Sequence, residues 1–183
     1  LYTSPHLEHV NERIAIDGQQ LSDDDFVDTW DQIKDLVAMV DMKMEELDKP
    51  KMSFFEVLTA MAIWKFADAP VDVAIVEVGM GGRWDATNVL DADAAIIGPI
   101  DMDHMAWLGN TVEQIASEKV GIIKPGCTAV IGRQPHEEAV MPIIEEAARQ
   151  NHANLVRDGI EAEVVTRIPA VGGQVATLRT PNG

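Results

Sequence analysis

Glu77 is the first residue of this sequence whose position suggests chemistry. It lies near the end of the apolar run VDVAIVEVG, residues 71–79. The β-branched residues of this run and its closing glycine predict a buried strand. A carboxylate at the end of such a strand loses hydration, so Glu77 requires compensation by another group.

His104 follows a second apolar segment, DADAAIIGPI, residues 91–100. The carboxyl ends of parallel strands can be neighbours at one edge of a sheet, where ligands bind in such folds. Glu77 and His104 could therefore bind a divalent cation together. Taken alone, the spacing favours a simpler interpretation, a salt-bridged glutamate and a surface histidine.

The segment GMGGRWD, residues 79–85, resembles a dinucleotide-binding fingerprint but lacks its third glycine and a clear helix after it. This argues against an NAD(P)-dependent oxidoreductase and predicts a loop whose backbone can approach a ligand. Lys119 ends a short predicted helix, where the helix dipole favours a cation. The spacing leaves open whether Lys119 also orients a phosphate or is modified.

Helices alternating with strands must position these residues. Helices are expected at 22–47, capped by Ser22, and from Ser53, which forms a capping box with Glu56. We expect an apolar stripe on the first helix and burial of the second on nearly all sides. The alternation predicts an α/β fold with a mainly parallel sheet flanked by helices on both faces, and a small β-hairpin or subsheet at the C-terminal end. Further predicted elements are strands at 91–100, 128–133 and 154–159, helices at 110–119 and 135–151, and a hairpin turn at Gly172–Gly173.

The composition excludes several classes of protein. The 183 residues carry a formal net charge of −17, which argues against binding to nucleic acid or to an anionic membrane. Small anionic ligands need only a local group of cations. The single cysteine allows no intramolecular disulfide, so we expect a cytoplasmic protein. No apolar run approaches the ~20 residues of a membrane span.

Five motifs occur in an order that is similar to a known family: TSPHL with ERI, SFFEVLTAMAIWKF, VDVAIVEVGMGGRWDATNV, DMDHMAWLGNT and IASEKVGIIKPG. Over residues 2–127 they resemble the folylpolyglutamate synthase/dihydrofolate synthase family of the Mur ligase superfamily. The resemblance implies that residues 1–183 form part of a P-loop/Mur-ligase-type central ATP-binding domain. We expect the P-loop segment before residue 1 and a C-terminal glutamate-ligase domain after residue 183.

The resemblance implies an ATP-dependent amide ligase. Such an enzyme adds L-glutamate to dihydropteroate, to the γ-carboxylate of folates, or to both, through an acyl-phosphate intermediate. The expected partners are these small molecules, the protein is expected to be a monomer, and the chain alone is expected to be inactive. Two alternatives are a cell-wall Mur ligase acting on a UDP-sugar peptide and a non-catalytic binding module of the same fold.

The family pattern also implies roles for individual residues. Ser4, Glu77 and His104 are expected to hold Mg²⁺ near the γ-phosphate of ATP, with Mn²⁺ as a substitute that suits the histidine. Lys119 is expected to be carbamylated and, with His104, to be catalytic. The metal would compensate the charge of Glu77.

The substrate-binding residues implied by the family are Asp85, which would hydrogen-bond the pterin, Phe55, which would wall its pocket, and Arg13, which would meet a substrate carboxylate. One departure from the family pattern is the pair Gly98–Pro99, where Thr-Asn or Thr-Pro is expected before the DH segment. This departure is expected to alter a hydrogen bond near the nucleotide or the acyl phosphate.

Overall fold

A computed structural model describes residues 1–181 of the chain. The chain divides into two compact units. The first comprises Leu1–Gly79 and Asp85–Val89, and the second comprises Met80–Trp84 and the described residues from Leu90 onward. Each unit has its own hydrophobic core.

Two helices dominate the first unit, and both begin where the sequence predicts. The Ser22 hydroxyl caps α1 by accepting the Asp25 N–H at 3.1 Å, and Ser53 and Glu56 form the expected capping box at the start of α2. Before β1 the chain forms only a short 3₁₀ turn. The elements of this unit are the 3₁₀ turn Val10–Arg13, β1 (Ala15–Ile16), β2 (Gln19–Gln20), α1 (Asp23–Glu46), α2 (Phe54–Asp68) and the 3₁₀ turn Ala86–Val89.

The buried face of α1 is narrower than the sequence predicts. Thr29, Ile33 and Val37 are buried, whereas Trp30 is 38% exposed. Thr29 can be buried because its hydroxyl donates to the Asp25 carbonyl at 2.7 Å. The expected burial of α2 on nearly all sides is also wrong, since Phe54 is 61% exposed. An apolar side chain on a helix is buried only where another element covers it.

The strand predicted over residues 71–79 is wrong as a regular element. The segment makes one parallel bridge, between Tyr2 and Val76, with the Tyr2 N–H donating to the Ile75 carbonyl at 2.8 Å and the Glu77 N–H donating to the Tyr2 carbonyl at 2.9 Å. The pairing ends there because the next backbone N–H, that of Ser4, donates to the Glu77 side chain instead of its carbonyl. Ile75 is 63% exposed, so the segment is extended but not buried.

A three-stranded parallel sheet, in the order β3-β4-β5, forms the centre of the second unit. Its register pairs Ile97 with Ile131 and Ile131 with Arg157, so the carboxyl ends of the three strands lie side by side. The elements of this unit are β3 (Ala94–Ile97), α3 (Met105–Leu108), α4 (Val112–Lys119), the 3₁₀ turn Val120–Ile122, β4 (Thr128–Ile131), α5 (Glu137–Gln150), β5 (Asn154–Arg157), β6 (Glu163–Ala170) and β7 (Gly173–Arg179).

The core of the second unit lies on one face of this sheet. Ile97 and Ile131 are buried there against Ile115 of α4 and Ile144 of α5. On the opposite face of β3, Ile96 is 73% exposed. The expected cover on both faces is therefore not found along β3 within residues 1–181, because α4 and α5 pack into the same cluster.

The strands β6 and β7 form the antiparallel hairpin expected at the C-terminal end. Gly172 lies in its turn with φ of +78°, a conformation that favours glycine. The predicted α/β class, with a parallel sheet, flanking helices and a C-terminal hairpin, is confirmed. In the described part of the chain, residues 1–181, no helix has both the length and the apolarity to cross a membrane.

Adjacent residues of β3 provide a test of the one-sided core. Ile97→Ala should lower the free energy of unfolding by ~2–5 kcal/mol, because it leaves a cavity in the core. Ile96→Ala, one residue away on the exposed face, should change it by less than ~1 kcal/mol. Urea unfolding of both variants would measure the difference. Equal losses would mean that the opposite face is also covered in solution.

Candidate functional site

The predicted site residues fall in both units. Each unit holds part of the set, with Ser4, Arg13, Phe55, Glu77 and Asp85 in the first and His104 and Lys119 in the second.

Ser4 and Glu77 are brought together although 73 positions separate them in the sequence. The Ser4 N–H donates to Oε2 of Glu77 at 2.7 Å, directly after the bridge between Tyr2 and Val76. The hydrogen bond uses the backbone of Ser4. The contact therefore brings a serine next to a carboxylate at the end of an extended segment.

Glu77 is exposed, so the premise that burial deprives its carboxylate of hydration is wrong. The pair nevertheless fits a magnesium ion, because serine and glutamate offer the hard oxygen ligands that Mg²⁺ prefers. Within residues 1–181, no group of three or more His, Cys, Asp and Glu side chains is arranged to hold a metal. The predicted set of one serine, one glutamate and one histidine does not require such a group.

Glu12 organises the loop that follows Ser4. Its carboxylate accepts the N–H groups of Leu7, Glu8 and His9 at 2.7, 2.9 and 2.7 Å. These hydrogen bonds, that from His9 foremost, lower the pKa of Glu12 to about 2. In the sequence, Glu12 stands out only as part of the ERI motif. Its position three residues after His9 resembles a capping box, which is the signal that could have identified its role.

Arg13 is buried between groups that carry no negative charge. Its Nε donates to Nδ1 of His6 at 2.9 Å, and its guanidinium carbon lies 5.4 Å from the centroid of the Phe54 ring. No ion pair between Arg13 and a carboxylate is found within residues 1–181. A guanidinium in this setting retains its affinity for an anion.

Phe55 packs against the segment that carries Glu77. A Cβ on Gly79 would lie only 2.5 Å from Cζ of Phe55, so only glycine fits there without a shift. The ring also lies 5.9 Å from that of Tyr2, centroid to centroid. Tyr2 is fully buried and hydrogen-bonds Thr59, and its burial raises the pKa of the phenol. Phe55 is thus fixed in place.

Asp85 stabilises the turn in which it lies. Its Oδ1 accepts the Thr87 N–H at 2.9 Å and the Thr87 hydroxyl at 2.6 Å, and its carbonyl accepts the Asn88 N–H at 2.9 Å. This capping starts the 3₁₀ turn Ala86–Val89. The absence of a regular α-helix after GMGGRWD agrees with the sequence prediction.

His104 begins the short helix α3 with φ of +48°, an uncommon conformation for a residue other than glycine. The His104 N–H donates a hydrogen bond to Oδ1 of Asp103 at 2.8 Å. Its Nε2 lies 3.4 Å from Oδ2 of the same residue. The imidazole is half exposed and lies on the loop beyond the carboxyl end of β3.

Lys119 ends α4 beside the glycine-rich loop. A Cβ on Gly82 would lie 2.7 Å from the Glu118 carbonyl and 2.8 Å from the Lys119 carbonyl, and one on Gly121 would lie 2.6 Å from Cα of Arg83. The Arg83 N–H also donates to the Glu118 carbonyl at 3.0 Å. This glycine-rich loop was predicted to let its backbone approach a ligand. Its backbone instead lies against the end of α4 and holds the main chain at Lys119 in place.

Known proteins resemble the chain over nearly its whole length. The dihydrofolate synthase/folylpolyglutamate synthase of Mycobacterium tuberculosis is 48% identical over 190 residues, covering 99% of this chain and 39% of the relative. That of Escherichia coli is 38% identical, covering 88% of this chain and 35% of the relative. No protein-family model matches.

Solved structures agree. Mycobacterium tuberculosis folylpolyglutamate synthase complexed with ADP and AMPPCP superposes with a TM-score of 0.88 at 49% identity, covering 97% of this chain and 40% of that one. A folylpolyglutamate synthase complex with AMPPCP and folate gives a TM-score of 0.87 at 30% identity, covering 100% and 43%.

The chain belongs to the folylpolyglutamate synthase/dihydrofolate synthase family. It spans about two-fifths of the length of the relatives it matches, 39% of the Mycobacterium tuberculosis protein. The family resemblance seen in the motifs is therefore confirmed, while the roles of the individual site residues stay predictions.

The close approach at Gly82 can be tested with a second glycine of the same unit. Gly82→Ala should destabilise the protein by ~1–3 kcal/mol, because the new methyl group meets two backbone carbonyls. Gly98→Ala should be nearly neutral, since no atom lies within 4 Å of its Cβ position. Chemical denaturation would give both values, and a neutral Gly82→Ala would contradict the close packing.

Glu12 should contribute a pH-dependent stability. Its folded pKa of about 2 lies below the usual 4.5, so the stabilisation is complete above that usual value and is lost as pH falls from 4.5 towards 2. An NMR titration should give a Glu12 midpoint near 2, and Glu12→Gln should flatten the acid limb of stability. Glu8→Gln, which removes a charge but none of these acceptors, is the control. A Glu12 midpoint at 4.5 would contradict the three hydrogen bonds.

Proposed function

We propose that this chain is part of an ATP-dependent amide ligase. The enzyme adds L-glutamate to dihydropteroate, to the γ-carboxylate of folates, or to both, through an acyl-phosphate intermediate. The observation that carries the proposal is the contact between Ser4 and Glu77 at 2.7 Å, in a chain whose relatives are folate ligases. The complexes of related structures with ADP, AMPPCP and folate support ATP and a folate as ligands.

Mg²⁺, or Mn²⁺ in its place, would be held by Ser4, Glu77 and His104. When bound it would reduce the repulsion between the attacking carboxylate and the γ-phosphate of ATP. Ser4 and Glu77 would supply oxygen ligands, and the hydrogen bond from the Ser4 N–H to the Glu77 carboxylate brings these two residues together. Glu12 stabilises the loop after Ser4 by accepting three backbone N–H groups.

The substrate would be bound by three residues of the first unit. Arg13 offers its charge to a substrate carboxylate, because His6 and Phe54 hold the guanidinium in place without neutralising it. Phe55 provides an aromatic wall for the pterin. Asp85 would hydrogen-bond the pterin through its carboxylate. Binding these groups in one orientation is how a ligase of this kind gains rate.

Lys119 and His104 are the proposed catalytic residues of the second unit. Lys119 would react with CO₂ to form a carbamate, which replaces a cation with an anion beside the glycine-rich loop. The contacts of Gly82 and Gly121 hold the end of α4 in place for this role. His104 would complete the metal site.

The domain assignment is part of the same proposal. Residues 1–183 contain no GxxxxGK[ST] sequence, so ATP binding through a P-loop would require further sequence. The names of the relatives favour the folate ligases over a cell-wall Mur ligase, and the presence of Ser4, Glu77, His104 and Lys119 favours an enzyme over a non-catalytic module. A monomer in the cytoplasm stays the expectation from sequence.

ADP release by the complete protein tests the function. With Mg²⁺, ATP and glutamate, turnover is expected with dihydropteroate, with tetrahydrofolate, or with both in separate assays. Glu77→Gln keeps an acceptor for the Ser4 N–H but removes the charge, and should lower turnover by about 100-fold or more. Glu46→Gln on the exposed end of α1 is the matched control. Absence of turnover in a folded wild-type protein that binds ATP would overturn the proposal.

The modification of Lys119 can be measured without turnover. Protein equilibrated with ¹³C-labelled bicarbonate should show one carbamate resonance in its ¹³C NMR spectrum. Lys119→Arg should abolish that resonance, because a guanidinium does not form a carbamate under these conditions. Lys124→Arg, five residues along the chain, should retain it. A resonance that survives Lys119→Arg would assign the carbamate to another amine.

A further inference from the structure

The loop that carries His104 is fastened by one side chain from another loop. Gln134 follows β4, and its amide makes three hydrogen bonds. Its Oε1 accepts the Ile100 N–H at 2.9 Å, and its Nε2 donates to the carbonyls of Gly98 at 3.0 Å and Gly132 at 2.7 Å. These contacts join the end of β4 to the loop after β3.

Only a side-chain amide offers this combination of groups. A glutamate would keep the acceptor for Ile100 but would place a second oxygen against two carbonyls. A methionine of similar size would leave the Ile100 N–H and both carbonyls without this partner. Gln134 is half-buried, so water replaces these hydrogen bonds less readily than at an exposed site.

The position of Ile100 shows why the fastening matters. Ile100 is fully buried in the core of the second unit, whereas the residues from Asp101 to His104 are exposed. The loop therefore leaves the core at Ile100, and Gln134 fixes its backbone at that point. Gly98 and Pro99, which depart from the family pattern, lie inside the segment that Gln134 holds.

A second contact from the same side follows. Nε2 of His136 lies 3.0 Å from Oδ1 of Asp101, and that oxygen also accepts the Met102 N–H at 2.7 Å. The hydrogen bond from His136 lowers the pKa of Asp101. Two side chains that begin the segment leading to α5 thus hold successive parts of the loop before His104.

We propose that Gln134 is a positioning residue that sets the place of His104 through the backbone of residues 98–104. The inference rests on the proposed function, in which His104 is a metal ligand. Gln134 itself touches no reacting group. Its effect reaches His104 by fixing the start of the loop at Ile100, from which only three residues separate His104.

Two variants and a matched control test the inference in the complete protein. Gln134→Met removes all three hydrogen bonds at nearly constant volume, and Gln134→Glu keeps only the acceptor. Gln150→Met removes a glutamine of the same chain that bonds only to exposed Glu146 on α5. The measurements are the free energy of unfolding, amide exchange of residues 100–104, the Mn²⁺ concentration that half-saturates ADP release, and the KM for glutamate.

Gln134→Met should raise exchange at Ile100 and the following amides, and should raise the half-saturating Mn²⁺ concentration about tenfold or more. The KM for glutamate should stay within about twofold, because the substrate contacts are unchanged. Gln134→Glu should have an effect in the same direction, and Gln150→Met should match the wild type in amide exchange, in the Mn²⁺ requirement and in the KM for glutamate.

The outcomes separate this inference from the proposed function. Unchanged exchange at Ile100 in Gln134→Met overturns the fastening. Raised exchange with an unchanged Mn²⁺ requirement in an active protein shows that Gln134 serves only the fold, which also overturns the inference. A wild-type protein that is folded, binds ATP and releases no ADP overturns the proposed function instead, and with it the catalytic part of this inference.

Discussion

The hydrogen bond from the Ser4 N–H to the Glu77 carboxylate is the contact on which the candidate site depends. It stands where a parallel ladder would next place a bond to the Glu77 carbonyl, after two regular bonds on either side of Tyr2. Because the Ser4 N–H bonds to the Glu77 side chain and not to its carbonyl, the ladder ends, and Ser4 lies next to the Glu77 carboxylate. Tyr2 must be held firmly for this to happen, and it is fully buried between Ile14 and Val76.

In the first unit the site residues are positioned by a β-bridge, whereas in the second they are positioned by close contact between backbone segments. Gly82 and Gly121 have no side chains, and the glycine-rich loop and the end of α4 can therefore lie in direct contact. In the same unit, the Gln134 side chain hydrogen-bonds backbone groups of the loops that follow β3 and β4. In both places contacts to the main chain hold the backbone, and the backbone determines where Lys119 and His104 lie. The half-buried Lys119 and the exposed His104 are placed in this way without being fully buried themselves.

Much of this could be predicted from local sequence signals. Capping residues located α1 and α2 because their hydrogen bonds are made within one turn, and the alternation of elements gave the parallel sheet. The strand at 71–79 was wrong because its burial depends on neighbours that a local pattern does not contain. The same reason explains Ile96, an apolar residue of a predicted strand that lies 73% exposed. Gln134 carried no signal for its role, since its partners in the loop after β3, Ile100 and Gly98, are 34 and 36 positions away and contribute backbone atoms.

Arg13 is a local positive charge in a chain whose overall charge is strongly negative. With a net charge of −17, this chain should repel the proposed ligands ATP, folate and glutamate, all of which are anionic. Several cations are already neutralised by neighbours on helix faces, as Lys34 is by Asp31 and Arg149 by Glu146. Arg13 is held instead by Nδ1 of His6, which accepts the hydrogen bond from its Nε, and by the ring of Phe54. A buried cation that no carboxylate within residues 1–181 pairs with keeps its attraction for an anion, and the proposed substrate carboxylate would require such a local exception to the overall charge.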